Sequence, residues 1–141
     1  PGAQGDQYAG GNVWTLNTAA LASPFYRGAL DILANGAPNA TAMSMWATAF
    51  NLTSLPNAPD QLAVVFAAQG DGVLLRLRSH IDSYNFHIYE QIDRNTGVQL
   101  AAYDLTWSYA EVLNAMRWRG ACVNASASAT PAATAATALR V

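Results

Sequence analysis

The chain of 141 residues contains no lysine; its seven basic residues are all arginine, and the formal net charge is −2. Charged residues make up only 11% of it, against about 25% in an ordinary soluble domain. No basic cluster offers a footprint to a nucleic-acid backbone, so no nucleic-acid partner is expected. Uninterrupted apolar runs of membrane-spanning length are missing, and no membrane partner is expected. A charged n-region followed by an apolar h-region is missing too, so no signal peptide is read. The chain starts Pro1-Gly2-Ala3 rather than with methionine, which fits a processed or internal start. His80 and His87 are not spaced as a helical metal pair, and no Cys or carboxylate cluster accompanies them. No metal and no cofactor are expected. Ser108 lacks the strained, glycine-flanked turn of a nucleophile elbow, and no glycine-rich phosphate loop occurs.

What is present in excess is apolar: 52% of the residues are hydrophobic. A small sphere needs a large polar surface. Either this is an alanine-rich domain that is simply low in charge, or some of its apolar surface is covered by something outside the chain. Three N-glycosylation sequons occur, at Asn39, Asn51 and Asn124, and together they point to a secreted, extracellular glycoprotein. The single Cys122 is an odd cysteine, which in a secreted protein suggests a disulfide to a partner outside this chain. The other reading is a buried free thiol.

Residues 1–11 read as a Gly-rich polar loop. Asn12 is a candidate N-cap, and Trp14, Leu16, Ala19, Phe25, Ala29 and Ile32 then recur at helical spacing, with a kink or break expected at Pro24 and a stop at Asn35-Gly36. A short helix is expected from about Thr41 to Phe50. Asp60 opens the next helix, with Leu62, Phe66, Val73, Leu77 and Ile81 on one stripe and Gly70 and Gly72 inside it. Residues 83–103 lack periodicity, with a turn at Asn95-Thr96-Gly97; long ordered loops are usually functional. Asp104 is read as the cap of a last helix with the stripe Leu105, Tyr109, Val112, Leu113 and Met116, closed by Arg117 and Arg119. From about Val123 the Ala/Ser/Thr-rich sequence reads as a linker or extended tail. No region is rich in strands, and the chain is expected to be all-α.

Two side chains carry candidate chemistry. Glu90 sits among Phe86, His87, Ile88, Tyr89 and Gln91. Apolar neighbours raise a carboxyl pKa and hydrogen-bonding neighbours lower it, and an exposed loop glutamate is the plain alternative. Trp107 falls in the first turn of the last helix but off its stripe, which suits a pocket wall as well as packing. A carboxylate beside an indole face is what glycoside hydrolysis requires.

Glu90-Gln91, Gln99-Leu100 and Asp104-Leu105-Thr106-Trp107-Ser108-Tyr109-Ala110 together resemble fungal glucoamylases of glycoside hydrolase family 15. Tyr8-Ala9-Gly10-Gly11-Asn12-Val13-Trp14 resembles the family's Tyr-containing loop ending in Asn-Pro-Trp, with Val13 in place of the proline. Phe86-His87-Ile88-Tyr89 replaces a smaller, more polar stretch. The resemblance implies the C-terminal part of an (α/α)6 barrel, the six-hairpin toroid, completed by an upstream segment not in this chain. It implies residues 1–122 as barrel and 123–141 as linker or tail. It implies inverting hydrolysis of terminal α-1,4-glucosidic bonds in starch and maltooligosaccharides, releasing β-glucose. Glu90 would be the general base, with Gln91, Trp107, Tyr8 and Trp14 on the substrate. The expected partners are that substrate and the N-terminal remainder of the domain, as a separate chain. A non-catalytic carbohydrate-binding or structural module, or another α/α-barrel glycosidase, is the alternative.

Overall fold

Alanine and leucine are abundant in the periodic stretches, and the backbone of the computed structural model, which describes residues 11–138, is accordingly built on four helices. They are α1 (Thr15–Asn35), α2 (Ala40–Ala49), α3 (Pro59–Arg78) and α4 (Thr106–Ala138). Two-residue strands β1 (Val13–Trp14), β2 (Gln91–Ile92) and β3 (Gln99–Leu100) form an antiparallel sheet in the order β1-β2-β3. The sheet lies outside the all-α expectation. Its strands are too short to show a period of two, and its first pairing joins residues nearly eighty positions apart in sequence.

Helix α1 packs against both α3 and α4. Leu16, Ala19, Ala22, Tyr26, Ala29 and Ile32 form its buried face, a stripe of spacing three to four that suits one side of a helix. The helix passes through Pro24 without the expected break. Pro24 costs α1 one backbone hydrogen bond, but the residues on either side of it, Ala22 and Tyr26, are fixed in the core by α3 and α4. Asn12 does not cap α1 either; Trp14 holds the N-cap position with no side-chain bond. Gly36, at φ +90°, ends the helix as the sequence predicts. Asn39 caps α2 through Ala42 N, 2.9 Å away. Trp46 of that helix and Phe50 at its C-cap meet Phe66 of α3, both at 5.1 Å between ring centroids.

Helix α3 runs unbroken through Gly70 and Gly72. Gly70 is required by a close approach: a Cβ there would lie 2.7 Å from Tyr26 Cζ. Tyr26 cannot swing aside, because it is fully buried and its hydroxyl donates to Asp71 Oδ1 at 2.7 Å. Gly70→Ala gains helix propensity but overpacks this contact, and a net loss of about 1–2 kcal/mol is expected. Chemical denaturation of the full-length protein against wild type checks it.

In α4 the expected stripe is only partly the buried one. Among the residues of α4 whose burial is described, Ser108, Ala115 and Cys122, seven residues apart, are the buried positions, while Leu113 and Met116 are exposed. Small side chains let α4 approach α1 closely, and hydrophobicity alone does not reveal which apolar face does so. Arg117 and Arg119 do not close the helix, which continues to Ala138. Arg119 reaches Asp71 on α3 instead, Nε to Oδ1 at 2.7 Å. The backbone of the Ala/Ser/Thr-rich segment is thus helical as far as Ala138, in keeping with alanine's first rank in helix propensity.

Candidate active site

Residues 83–105, beyond the end of α3, carry Glu90 back across the end of α1. Trp14 pairs with Gln91 and Val13 with Ile92, and Gln91 in turn pairs with Leu100. The ladder extends one residue past β2: the carbonyl of Glu90 accepts from Thr15 N at 3.0 Å, and its N–H donates to the Ala102 carbonyl at 2.9 Å. Ala102 N also lies 3.4 Å from Glu90 Oε2. Glu90 is therefore fixed on both sides of its backbone while its half-buried carboxylate stays within reach of solvent.

Gln91 is only 8% exposed, and its Oε1 accepts from Asn12 Nδ2 at 3.3 Å. This is what Asn12 does in place of capping α1. The turn that reverses the chain between β2 and β3 is held by Asp93, whose Oδ1 accepts from the backbone N–H groups of Asn95 and Thr96 at 2.9 and 2.8 Å. Those donors, that of Thr96 foremost, hold the Asp93 carboxyl below its ordinary pKa. Gly97, at φ +76°, completes the reversal, and its carbonyl accepts from His80 Nδ1 at 2.9 Å.

The start of α4 is tied to the residues just before Glu90. Ser108 Oγ donates to the Tyr89 carbonyl at 3.2 Å, Leu105 N to the Ile88 carbonyl at 3.1 Å, and Ile88 N to the Tyr109 hydroxyl at 3.0 Å. Trp107, next to Ser108, is 61% exposed. Asp104, read from the sequence as a cap, works differently. Its Oδ1 accepts from the Tyr109 hydroxyl in a short hydrogen bond and from His87 Nδ1 at 2.7 Å. The Tyr109 bond foremost, and the His87 bond, hold the Asp104 carboxyl below its usual range. The first intrahelical bonds of α4 go to the carbonyl of Leu105.

The expected site residues thus fall into three groups. Trp14, Glu90 and Gln91 are brought together by the sheet. Trp107 is joined to them through Ser108 and Tyr89. Tyr8 lies outside the described residues. Sequence reasoning missed Asn12, His87, Ala102 and Tyr109, which hold the others in place. Asn12 and Tyr109 stand in the motifs quoted above, and His87 and Ala102 in the long non-periodic loop, but neither signal shows which groups they hold.

Cys122 is 4% exposed and faces α1, where its Sγ donates to the Tyr26 carbonyl at 3.0 Å. Burial pushes the thiol pKa up. Its setting is that of the second reading, a thiol enclosed by this chain's own core. Asn39, Asn51 and Asn124 are all exposed. No described helix is long and apolar enough to cross a membrane.

The short sheet thus sets Glu90 and Gln91 beside Trp14 at the start of α1, and the start of α4, with Trp107, is tied to them through Ser108 and Tyr89. The sequence profile of Glycosyl hydrolases family 15 matches residues 3–117, and the chain belongs to that family. It is 30% identical to Glucoamylase-1 of Schizophyllum commune (strain H4-8 / FGSC 9210), over 86% of this chain and 22% of that protein. The solved glucoamylase of Hormoconis resinae superposes with a TM-score of 0.68 at 27% identity, over 82% of this chain and 21% of that one. The family 15 glucoamylase of Hypocrea jecorina gives 0.66 at 26% identity, over 82% and 22%. The fold is therefore part of an (α/α)6 barrel, and the chain spans about a fifth of the length of these relatives.

Proposed function

We propose that this chain supplies the base half of an inverting glucan 1,4-α-glucosidase site, with Glu90 activating the attacking water. The observation that supports it is the setting of Glu90. Its backbone is held by Thr15 and Ala102, and its carboxylate is left at a solvent-accessible edge. A general base needs this combination of fixed position and room for a water. Trp14 and Trp107 are the aromatic surfaces for neighbouring glucose units, and Gln91, pinned by Asn12, orders the site between them. Tyr8 is assigned to the same substrate surface by its place in the loop before Trp14.

Inversion also needs an acid about 6.5–9.5 Å from the base, so that a water fits between base and sugar. Asp93 and Asp104 are engaged in the turn and with His87 and Tyr109. We assign the acid to a part of the protein beyond this chain. The apolar faces of α3 and α4 suit that arrangement. Leu75 and Leu113 are 69% and 66% exposed, and a groove of about 360 Å³ between the two helices is lined by Leu74, Leu77, Ile81, Val112 and Met116. The remaining barrel helices would cover these side chains. Residues 123–141 are assigned to a linker or tail by their Ala/Ser/Thr-rich composition, and the exposed sequons fit secretion into the medium.

The test uses the full-length protein that carries this segment, with maltose as substrate and the first glucose released followed by proton NMR. β-Glucose is the expected anomer. α-Glucose would exclude inversion, and no release would favour a carbohydrate-binding role.

A further inference from the structure

We propose that His87 is a positioning residue for Glu90, acting through the strained loop 101–104. The inference rests on Glu90 being the base. Two non-glycine residues in this loop have positive φ, Ala101 at +69° and Asp104 at +52°. Such conformations are costly for residues with a Cβ and persist only where neighbouring contacts over-determine them. Between them lies Ala102, whose carbonyl accepts from Glu90 N and whose N–H faces Glu90 Oε2 at 3.4 Å. The position of the Glu90 carboxylate therefore follows the loop.

His87 holds the loop at two points. Its Nδ1 donates to Asp104 Oδ1 at 2.7 Å, and its ring lies against that of Tyr103, centroids 4.6 Å apart. Tyr103 also packs edge-on to Tyr89, the residue before Glu90, at 4.8 Å. His87 itself is anchored through its backbone: its carbonyl accepts from Gln99 Nε2 at 3.0 Å, and the Oε1 of the same amide accepts from Tyr89 N at 3.0 Å. One imidazole thus fixes the two residues that follow Ala102 against the segment that bears Glu90.

The experiment measures maltose hydrolysis by the full-length protein in His87→Ala, His87→Asn and Glu90→Gln forms, and in the His87→Ala/Glu90→Gln double variant. His87→Ala removes both holds and is expected to lower kcat about tenfold while leaving KM for maltose nearly unchanged, since a misplaced base affects the transition state and not ground-state binding. Asparagine can place an amide N–H where Nδ1 stands, and His87→Asn should recover most of that loss. In the Glu90→Gln background His87→Ala should change kcat no further, because a group acting only through Glu90 has nothing left to position. Amide hydrogen exchange across 101–104 should quicken in His87→Ala and return toward wild type in His87→Asn. A loss that asparagine does not recover, a rise in KM in place of a fall in kcat, or a further drop in the double variant would overturn the proposal. Full activity of Glu90→Gln alone would overturn the base assignment, and the positioning role with it.

Discussion

Glu90→Gln in the full-length protein is expected to lower kcat for maltose by about 10²–10⁴-fold, with a much smaller change in KM. Glutamine has nearly the same shape as glutamate and keeps an oxygen for the Ala102 N–H, which stands 3.4 Å from the carboxylate. The backbone bonds of residue 90 to Thr15 and Ala102 do not involve the side chain and stay in place. What is lost is the ability to take a proton from water. The variant should therefore melt with wild-type protein and bind maltose about as well, so that the defect is one of chemistry. Initial rates of glucose release, read beside thermal melts, check this. An unchanged kcat would remove Glu90 from the base role.

The second large effect concerns stability. Asp71→Ala is expected to destabilise the protein by about 2–3 kcal/mol, seen as a fall of several degrees in the Tm of the full-length protein. Asp71 is where three helices meet. It accepts from the buried Tyr26 hydroxyl of α1 at 2.7 Å and from Arg119 of α4 at 2.7 and 3.3 Å. Removing it leaves the Tyr26 hydroxyl without its acceptor inside the core. The loss of the Arg119 pair contributes less, because Asp71 and Arg119 are 39% and 50% exposed and screened by solvent. Asp71→Asn keeps an acceptor for Tyr26 and should lie between alanine and wild type.

The same carboxylate gives a pH dependence of known sign. The Arg119 hydrogen bonds foremost, with help from Tyr26, hold the Asp71 carboxyl below its ordinary pKa, while burial and the Asp71 bond push the Tyr26 hydroxyl up. A depressed folded-state pKa means that the stabilisation is fully present above the unfolded value of about 4 and is lost as pH falls through the lower, folded value. The stability gap between wild type and Asp71→Asn should therefore be widest above about pH 5 and narrow as the pH falls below about 4.

Much of the helical framework was legible in the chain. The Asn35-Gly36 stop, the short helix near Thr41–Phe50 and the start of α3 within one residue of Asp60 follow from caps, turns and a 3.6 period, which are local in sequence. Pro24 was misleading because its local penalty is offset by packing on both sides of α1, and no short window contains that packing. In α4 the buried face is Ser108, Ala115 and Cys122 rather than the more hydrophobic Leu113 and Met116. Periodicity locates apolar faces but does not assign each to its neighbour.

The site divides along the same line. The sequence by itself determined the chemistry on offer: Glu90 and Gln91 in a non-periodic loop, Trp14 and Trp107 at helix starts, and the pattern they share with family 15. These are properties of residue type and spacing. Only the tertiary structure decided how the groups are held. It paired Trp14 with Gln91 through strands of two residues, turned Asp104 from a cap into the acceptor for His87 and Tyr109, and set Ala102 against Glu90. Those contacts join residues from about five to eighty positions apart, and their geometry depends on how α1 and α4 pack, which no short stretch of sequence contains.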